Sequence, residues 1–261
     1  TLMRSSAASD VYKRQLNIER KQDKEENMDF LDKRVGVICN ELKKLKVKQV
    51  FPLTQWEYKE GNFIHPEDAL KDEAAWENFD CKTMHWYGKD RHYWFRTTYT
   101  ILEELDGKSV WIRVSSQIDE WDDGRNPQFI VFVNGEVYQG IDMNHRECLI
   151  TRSGKAGETL TIDLQAYTGI MHEEFALRTQ IEEIDAEIEK LYYDLWVPLA
   201  AFSRMEADDK NRKDIEYVLN ETINLLDLRT PYSEGFYRSV REASALSLIH
   251  ISEPTRPRLI S

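Results

Sequence analysis

The stretch Gln128 to Glu147, QFIVFVNGEVYQGIDMNHRE, constrains what this chain can fold into more than any other. Phe129, Val131 and Val133 alternate onto one strand face and Ile130 and Phe132 onto the other, so the run is apolar on both sides and belongs inside a β-structure. Asn134-Gly135 follows directly. That dipeptide accepts the two positive φ angles of a type I′ turn and returns Glu136-Val137-Tyr138 antiparallel to the strand before it. Gly140-Ile141-Asp142 then breaks the second strand. It leads into a polar corner of Asp142, Asn144 and His145, with Glu147 just beyond, whose side chains either cap turns or face a ligand.

Around this hairpin, 261 residues with 41% hydrophobic and 11% aromatic content are enough for a packed core in one large or two modest domains. A net charge of −12 argues against a nucleic-acid backbone or an anionic membrane as partner, because both require clustered Lys and Arg. The largest basic run is Lys43 to Lys48. No apolar stretch approaches the roughly 20 residues that cross a bilayer, and no charged start followed by an apolar core marks a secretory signal. The expectation is a cytoplasmic protein that binds neither nucleic acid nor membrane. Cys39, Cys81 and Cys148 are odd in number, far apart and without Cys-x-x-Cys spacing, which fits reduced thiols better than a disulfide framework.

Both ends look foreign to the rest. The first 15 residues, ending SSAASDVYKRQ, and the final LSLIHISEPTRPRLIS resemble translated sequencing-library adapter. Residues 1–15 and 246–261 are therefore expected to make no stable contact with a core. Met28 is the expected true start, since MDFLDKRVGVICNELKKL opens a helix, and the natural protein is expected to continue past Ala245.

Leu31, Val35, Ile38, Leu42 and Leu45 recur at spacings of three and four, the stripe of an amphipathic helix that should end before Pro52. Phe51 to Phe63 has aromatic residues without a single period and reads as an extended connector. Pro66, with Glu67 and Asp68 in the first turn, starts a short helix to about Glu77, whose Trp76 packs on a sheet. From Tyr93 onward, short β-rich runs are separated by Asp106-Gly107, Asp123-Gly124, Ser153-Gly154 and Gly157, the pattern of a β-sandwich. Phe175 to Ile184 alternates as a last strand. Asp185 is placed to N-cap a following helix that Pro198 should kink or end. Asp209 to Leu228 is a further amphipathic helix, and Tyr232 to Ala243 begins another.

The expected class is thus α+β: an antiparallel β-sandwich of galactose-binding-like or jelly-roll type over 93–184. A leader and N-terminal helices over 16–92 precede it, and a helical linker over 185–245 follows.

Chemistry is sparse. No two of His65, His85, His92, His145 and His172 stand at the i, i+2 or i, i+4 spacing with which one element grips a metal. No phosphate loop, nucleophile elbow or Cys and His arrangement is present. Asp119, Glu120, Asp122 and Asp123 mimic a calcium loop or a carboxylate pair, but they lack EF-hand spacing, and a solvated turn closed by Gly124 accounts for them. Trp86, Tyr87, Trp94 and Trp111 could stack on sugar rings, although aromatics in strands are usually core. Asp142, Asn144 and His145 are the one polar cluster worth carrying forward as a candidate site. No catalytic, cofactor-binding or metal-ligating residue is assigned.

Three stretches carry a resemblance: WYGKDRHYWFRTTYTI from Trp86, FIVFVNGEVYQGIDMNHRE, and LTIDLQAY ending at Tyr167. Together they resemble the N-terminal non-catalytic β-sandwich of glycoside hydrolase family 38 α-mannosidases, and EKLYYDLWV with VLNETINLLDLR resembles the linker that follows it there. The resemblance implies a parent enzyme that is a zinc-dependent, retaining exo-α-mannosidase acting on terminal α-D-mannose of oligosaccharides, and a homo-oligomer. Its metal is first gripped by a His-x-His-x-Asp motif, and an Asp nucleophile lies further on. Neither motif occurs here, so no catalytic or zinc residue carries over, and the fragment alone is expected to be inactive. A free-standing carbohydrate-binding sandwich and a helical assembly protein remain as alternatives.

Overall fold

The computed structural model describes residues 30–116, 125–206 and 208–251. The described residues form two compact units, Val47–Ala186 and the combination of those before Val47 with those from Glu187 onward.

The second of these is helical. The expected N-terminal stripe folds as α1 (Phe30–Leu45), which buries Leu31, Val35, Cys39 and Leu42. Its partners come from the other end of the chain: Leu191 and Leu195 of α3 (Ala186–Phe202), Leu219 of α4 (Arg212–Asn224), and Phe236 and Val240 of α5 (Glu234–Ile251). Polar contacts close the same bundle, with Arg34 donating to Asn220 and Asn224 and the Tyr232 hydroxyl to the Leu45 carbonyl. The first helix and the supposed linker therefore share one core, because no one of these helices can bury its apolar face alone. Pro198 does not end α3, which continues to Phe202. Helix α5 runs past the expected boundary at 246, and Ser247 is only 2% exposed.

The β unit is antiparallel in every strand pairing. Its strands are β1 (Val47–Pro52), β2 (Gln55–Glu60), β3 (Glu77–Asp80), β4 (Trp86–Gly88), β5 (His92–Thr100), β6 (Val110–Ser115), β7 (Gln128–Val133), β8 (Glu136–Ile141), β9 (Glu147–Thr151), β10 (Thr159–Tyr167), β11 (Glu173–Phe175) and β12 (Arg178–Ile184). A sheet ordered β3-β2-β5-β10-β7-β8 and one ordered β1-β12-β6-β9 supply the sandwich-like core, and β11-β4 forms a two-stranded ribbon. The core is the alternate residues of the two sheets: Phe95, Val131, Ile162 and Leu164 from the larger one, Val110, Ile112, Cys148 and Ile181 from the smaller. Trp86 fills its centre, with ring centroids 4.8 to 5.7 Å from Phe175, Tyr93, Phe95 and Phe129.

The structure places the start of the β unit at Val47, not at Tyr93. The presumed connector is β1 and β2. Its periodicity is masked because β1 and β2 lie in different sheets, each meeting different neighbours, and Pro52 with Leu53 carries the crossing. The short helix α2 (Pro66–Lys71) ends sooner than expected but seats as expected, since Trp76 and Ala69 pack with Trp94 and Phe132 on the outer face of the larger sheet. Lys59 fastens it. Its ammonium, almost fully buried, donates to the carbonyls of Ala69 and Ala74 and to the Asp72 carboxylate 2.7 Å away. That donation, which outweighs the effect of burial, holds the Asp72 carboxyl below its ordinary range.

The hairpin forms as its sequence requires. Asn134 and Gly135 have φ of 52° and 87°, the type I′ signature. Phe129, Val131 and Val133 face the core, and Phe132 is buried on the opposite side. Ile130 is the exception at 39% exposure, so the strand is not covered on both faces along its length. A bulge between Val131 and Phe132 lets β8 carry one extra residue, and β8 is an edge strand.

Candidate functional site

The polar corner is built by Asp142. Its Oδ1 accepts the backbone N–H of Asn144 at 2.8 Å and of His145 at 2.7 Å, and lies 3.1 Å from His145 Nδ1. This is an Asx turn that carries the chain from β8 to β9. Partial burial pushes the Asp142 carboxyl up, but the two N–H donors and the His145 ring together outweigh it and hold the carboxyl below its ordinary range. Asn144 and His145 are exposed, and the His145 ring reaches back to the Asp142 carboxylate. The cavity beside them, walled by Ser116, Asn126, Phe129 and Arg146, has a volume of about 10 Å³. That is room for about one water, not for a sugar ring. The three residues are brought together, and the hydrogen bonds between them close the turn.

The aromatic candidates part company. Trp86 and Trp94 are buried at 1% and 0% exposure, Trp111 is half-buried, and only Tyr87, at 58%, faces solvent. No stacking platform is formed by the four. The acidic run Asp119 to Asp123 lies outside the described residues. The histidines are dispersed: His65 precedes α2, His92 stacks on Tyr167 with centroids 5.0 Å apart, and His85 Nδ1 lies 3.9 Å from Glu174. Among the described residues, no three His, Cys, Asp or Glu side chains converge to hold a metal ion. The zinc that the resemblance implies has no donor set among them. Cys39, Cys81 and Cys148 are free thiols, each pushed up to about 11 by burial.

The β unit also holds a larger concavity, which sequence reasoning missed. It is a groove of about 480 Å³ where the connection between β3 and β4, carrying Cys81, Lys82 and His85, runs beside the start of β12, with Arg178, Thr179 and Gln180. Pro52 and Thr54 complete it. The bonds that hold the groove in shape are local to it: Cys81 N–H to the Thr54 carbonyl at 2.9 Å, Leu53 N–H to the Thr179 carbonyl at 3.0 Å, and the Trp56 indole N–H to Thr179 Oγ1 at 2.9 Å. Nothing in the sequence flagged it, because Lys82 and Arg178 are remote in sequence and neither belongs to a motif.

With this geometry in hand, the class the fold defines is an α+β protein whose β part is a sandwich-like domain. No protein-family profile and no curated protein matches the chain. Among solved structures, it is distantly similar to a glycoside hydrolase, the β-glucuronidase of Ruminococcus gnavus. In its complex with uronic deoxynojirimycin the TM-score is 0.35 at 12% identity, covering 52% of this chain and 29% of that one. In the complex with D-glucaro 1,5-lactone the TM-score is again 0.35 at 12% identity, covering 53% and 30%. The chain thus spans under a third of the length of those enzymes, and a likeness this distant carries no argument about activity.

Proposed function

We propose that this chain is the non-catalytic N-terminal region of an α-mannosidase resembling glycoside hydrolase family 38, supplying scaffold and interface to a catalytic region. The observation that carries this reading is where the resembling stretches fall. They are discontinuous in sequence, yet they make β4, β5, β7, β8 and β10, and four of these are consecutive neighbours in the order β5-β10-β7-β8, from the middle of the larger sheet to its β8 edge. A resemblance spread over the strands that pair with one another bears on the domain as a unit.

On this reading the parent is a cytoplasmic, homo-oligomeric, zinc-dependent retaining enzyme that removes terminal α-D-mannose from oligosaccharides. Two carboxylates there run a double displacement, and no part of it is assigned to a residue of this chain. Two measurements test the proposal. The genomic reading frame, followed beyond Ala245, should encode a His-x-His-x-Asp motif, and the protein so extended should hydrolyse an aryl α-mannoside. The purified 261-residue chain should not, even with added zinc or cobalt. A frame that closes without the motif, or hydrolysis by the short chain after removal of host mannosidase, overturns it.

A further inference from the structure

We propose that the outer face of the larger sheet, beside α2, is a docking surface for a basic amphipathic helix of another protein. The surface lies wholly within the β unit and is independent of the mannosidase reading.

The first ground is an incomplete layer. A sheet buries its apolar faces against another layer, and on this face that layer is α2 with its flanking residues, which cover Trp94 and Phe132. The cover stops before the sheet does. Ile130, two residues before Phe132 on the same face of β7, is 39% exposed, and Val137, paired with Phe132 across the β7–β8 ladder, is 65% exposed. Gly140, opposite Ile130, brings no side chain to cover it. The border of the layer is apolar too. Gln165, the β10 partner of Ile130, donates its side-chain amide to the Phe63 carbonyl, which holds the Phe63–Ile64 peptide over the strand next to Ile130, and Ile64 is 73% exposed. An apolar floor thus lies bare where α2 and its lead-in end.

The second ground is charge. The whole of the net charge of −12 falls on Val47–Ala186, because the remaining residues carry as many Lys and Arg as Asp and Glu. The cations around α2 are already matched: Lys59 meets Asp72 at 2.7 Å, Arg96 meets Asp163 at 2.6 Å, and Lys71 lies 4.0 Å from Asp68. Glu67 and Glu73, exposed on and just after α2, have no ion pair among the described residues.

An apolar floor with unmatched carboxylates beside it selects its occupant. Nucleic acid and anionic lipid carry the wrong sign, and a second copy presenting the same face adds like charge. A helix with one apolar face and Lys or Arg along its flanks satisfies both requirements, covering Ile130 and Val137 and turning its cations toward Glu67 and Glu73.

The test uses the whole chain and a synthetic probe, a peptide of about 15 residues, long enough to hold a helix on contact, with leucine at i, i+3, i+4 and i+7 spacing and lysine elsewhere. One control scrambles the leucines, and the other replaces every lysine with glutamate. Fluorescence anisotropy should give saturable binding of the lysine peptide that weakens as salt rises, with both controls about tenfold weaker or more. Amide shifts should gather at Ile64, Ile130 and Val137. Ile130→Thr with Val137→Thr keeps strand-forming residues and should weaken binding about tenfold. Glu67→Gln with Glu73→Gln should weaken it about threefold, since exposed ion pairs contribute little each, and should flatten the salt dependence. No saturable binding, equal binding of either control, shifts confined to other residues, or unchanged affinity in either folded double variant overturns the proposal. So does sedimentation in which the free chain dimerises and the Thr variant is monomeric, since a second copy is then the occupant. Should the Thr variant fail to fold, the shift map of the unaltered chain decides.

Discussion

Ser247 donates its hydroxyl hydrogen bond, at 3.1 Å, to the backbone carbonyl of Asp194, the acceptor that Pro198 leaves unserved four residues further along α3. Proline has no N–H, so in a continuous helix the carbonyl four residues earlier loses its partner. Here α5 replaces it, and Ser244 adds a bond at 3.1 Å to the Asp194 carboxylate. The helix passes through a proline because another helix satisfies the orphaned group. This also corrects the expectation that 246–261 makes no contact, as far as Ser247.

Ser247→Ala should destabilise the helical unit by about 1–3 kcal/mol, the cost of leaving a buried acceptor unmade. In a Pro198→Ala background the loss should shrink, because a backbone N–H again reaches the Asp194 carbonyl. Urea unfolding of the four proteins in the cycle measures the coupling. Strictly additive effects would show that the two residues do not share that carbonyl.

Arg96 and Asp163 face each other across β5 and β10, with Nε–Oδ1 at 2.6 Å and Nη2–Oδ2 at 3.1 Å, and Asp163 is fully buried. Arg96→Met should cost about 3–5 kcal/mol, because it strands a carboxylate with no counter-charge. Removing both partners with Asp163→Val should cost less than the single change. Denaturant midpoints rank the variants, and a single variant as stable as the unaltered protein would refute the pair's role.

Gly135 has a φ of 87°, and a Cβ added there meets nothing within 4 Å. The cost of Gly135→Val is therefore backbone strain, on the order of 1–3 kcal/mol, without a clash. Gly135→Asn should cost less, since Asn tolerates the left-handed region. A slip of one residue would also exchange the core set Phe129, Val131 and Val133 for Ile130 and Phe132. Thermal melting checks this; a Val variant that melts like the unaltered chain removes the turn from the determinants of register.

Asp142→Ala should cost about 1 kcal/mol by releasing two backbone N–H groups, whereas exposed His145→Ala should stay within about 0.5 kcal/mol. It should also leave turnover of a full-length parent unchanged. Because the folded Asp142 carboxyl is held below its unfolded value, its contribution is present above a pH of about 4 and is lost as pH falls through the lower folded value. The stability gap between Asp142→Ala and the unaltered protein should therefore close on acidification. A gap that widens, or normal folding of His145→Ala with lost turnover, would contradict a purely structural corner.

The sequence by itself determined what depends on neighbouring residues. Alternation set the faces of β7, Asn134-Gly135 set the turn, spacing by three and four marked α1, and Asp142 two residues before Asn144 set the Asx turn. Each is a local choice, in which a few dihedrals and one side-chain bond decide the outcome. Tertiary structure decided what depends on partners distant in the chain. β1 and β2 are strands because they find β12 and β5, although aperiodic aromatics hide them. The N-terminal helix closes a bundle with helices from the far end of the chain, and α3 survives Pro198 through Ser247. No local pattern encodes these, since their stabilisation arises only when apolar faces, and an orphaned carbonyl and its donor, are brought together by the packed fold.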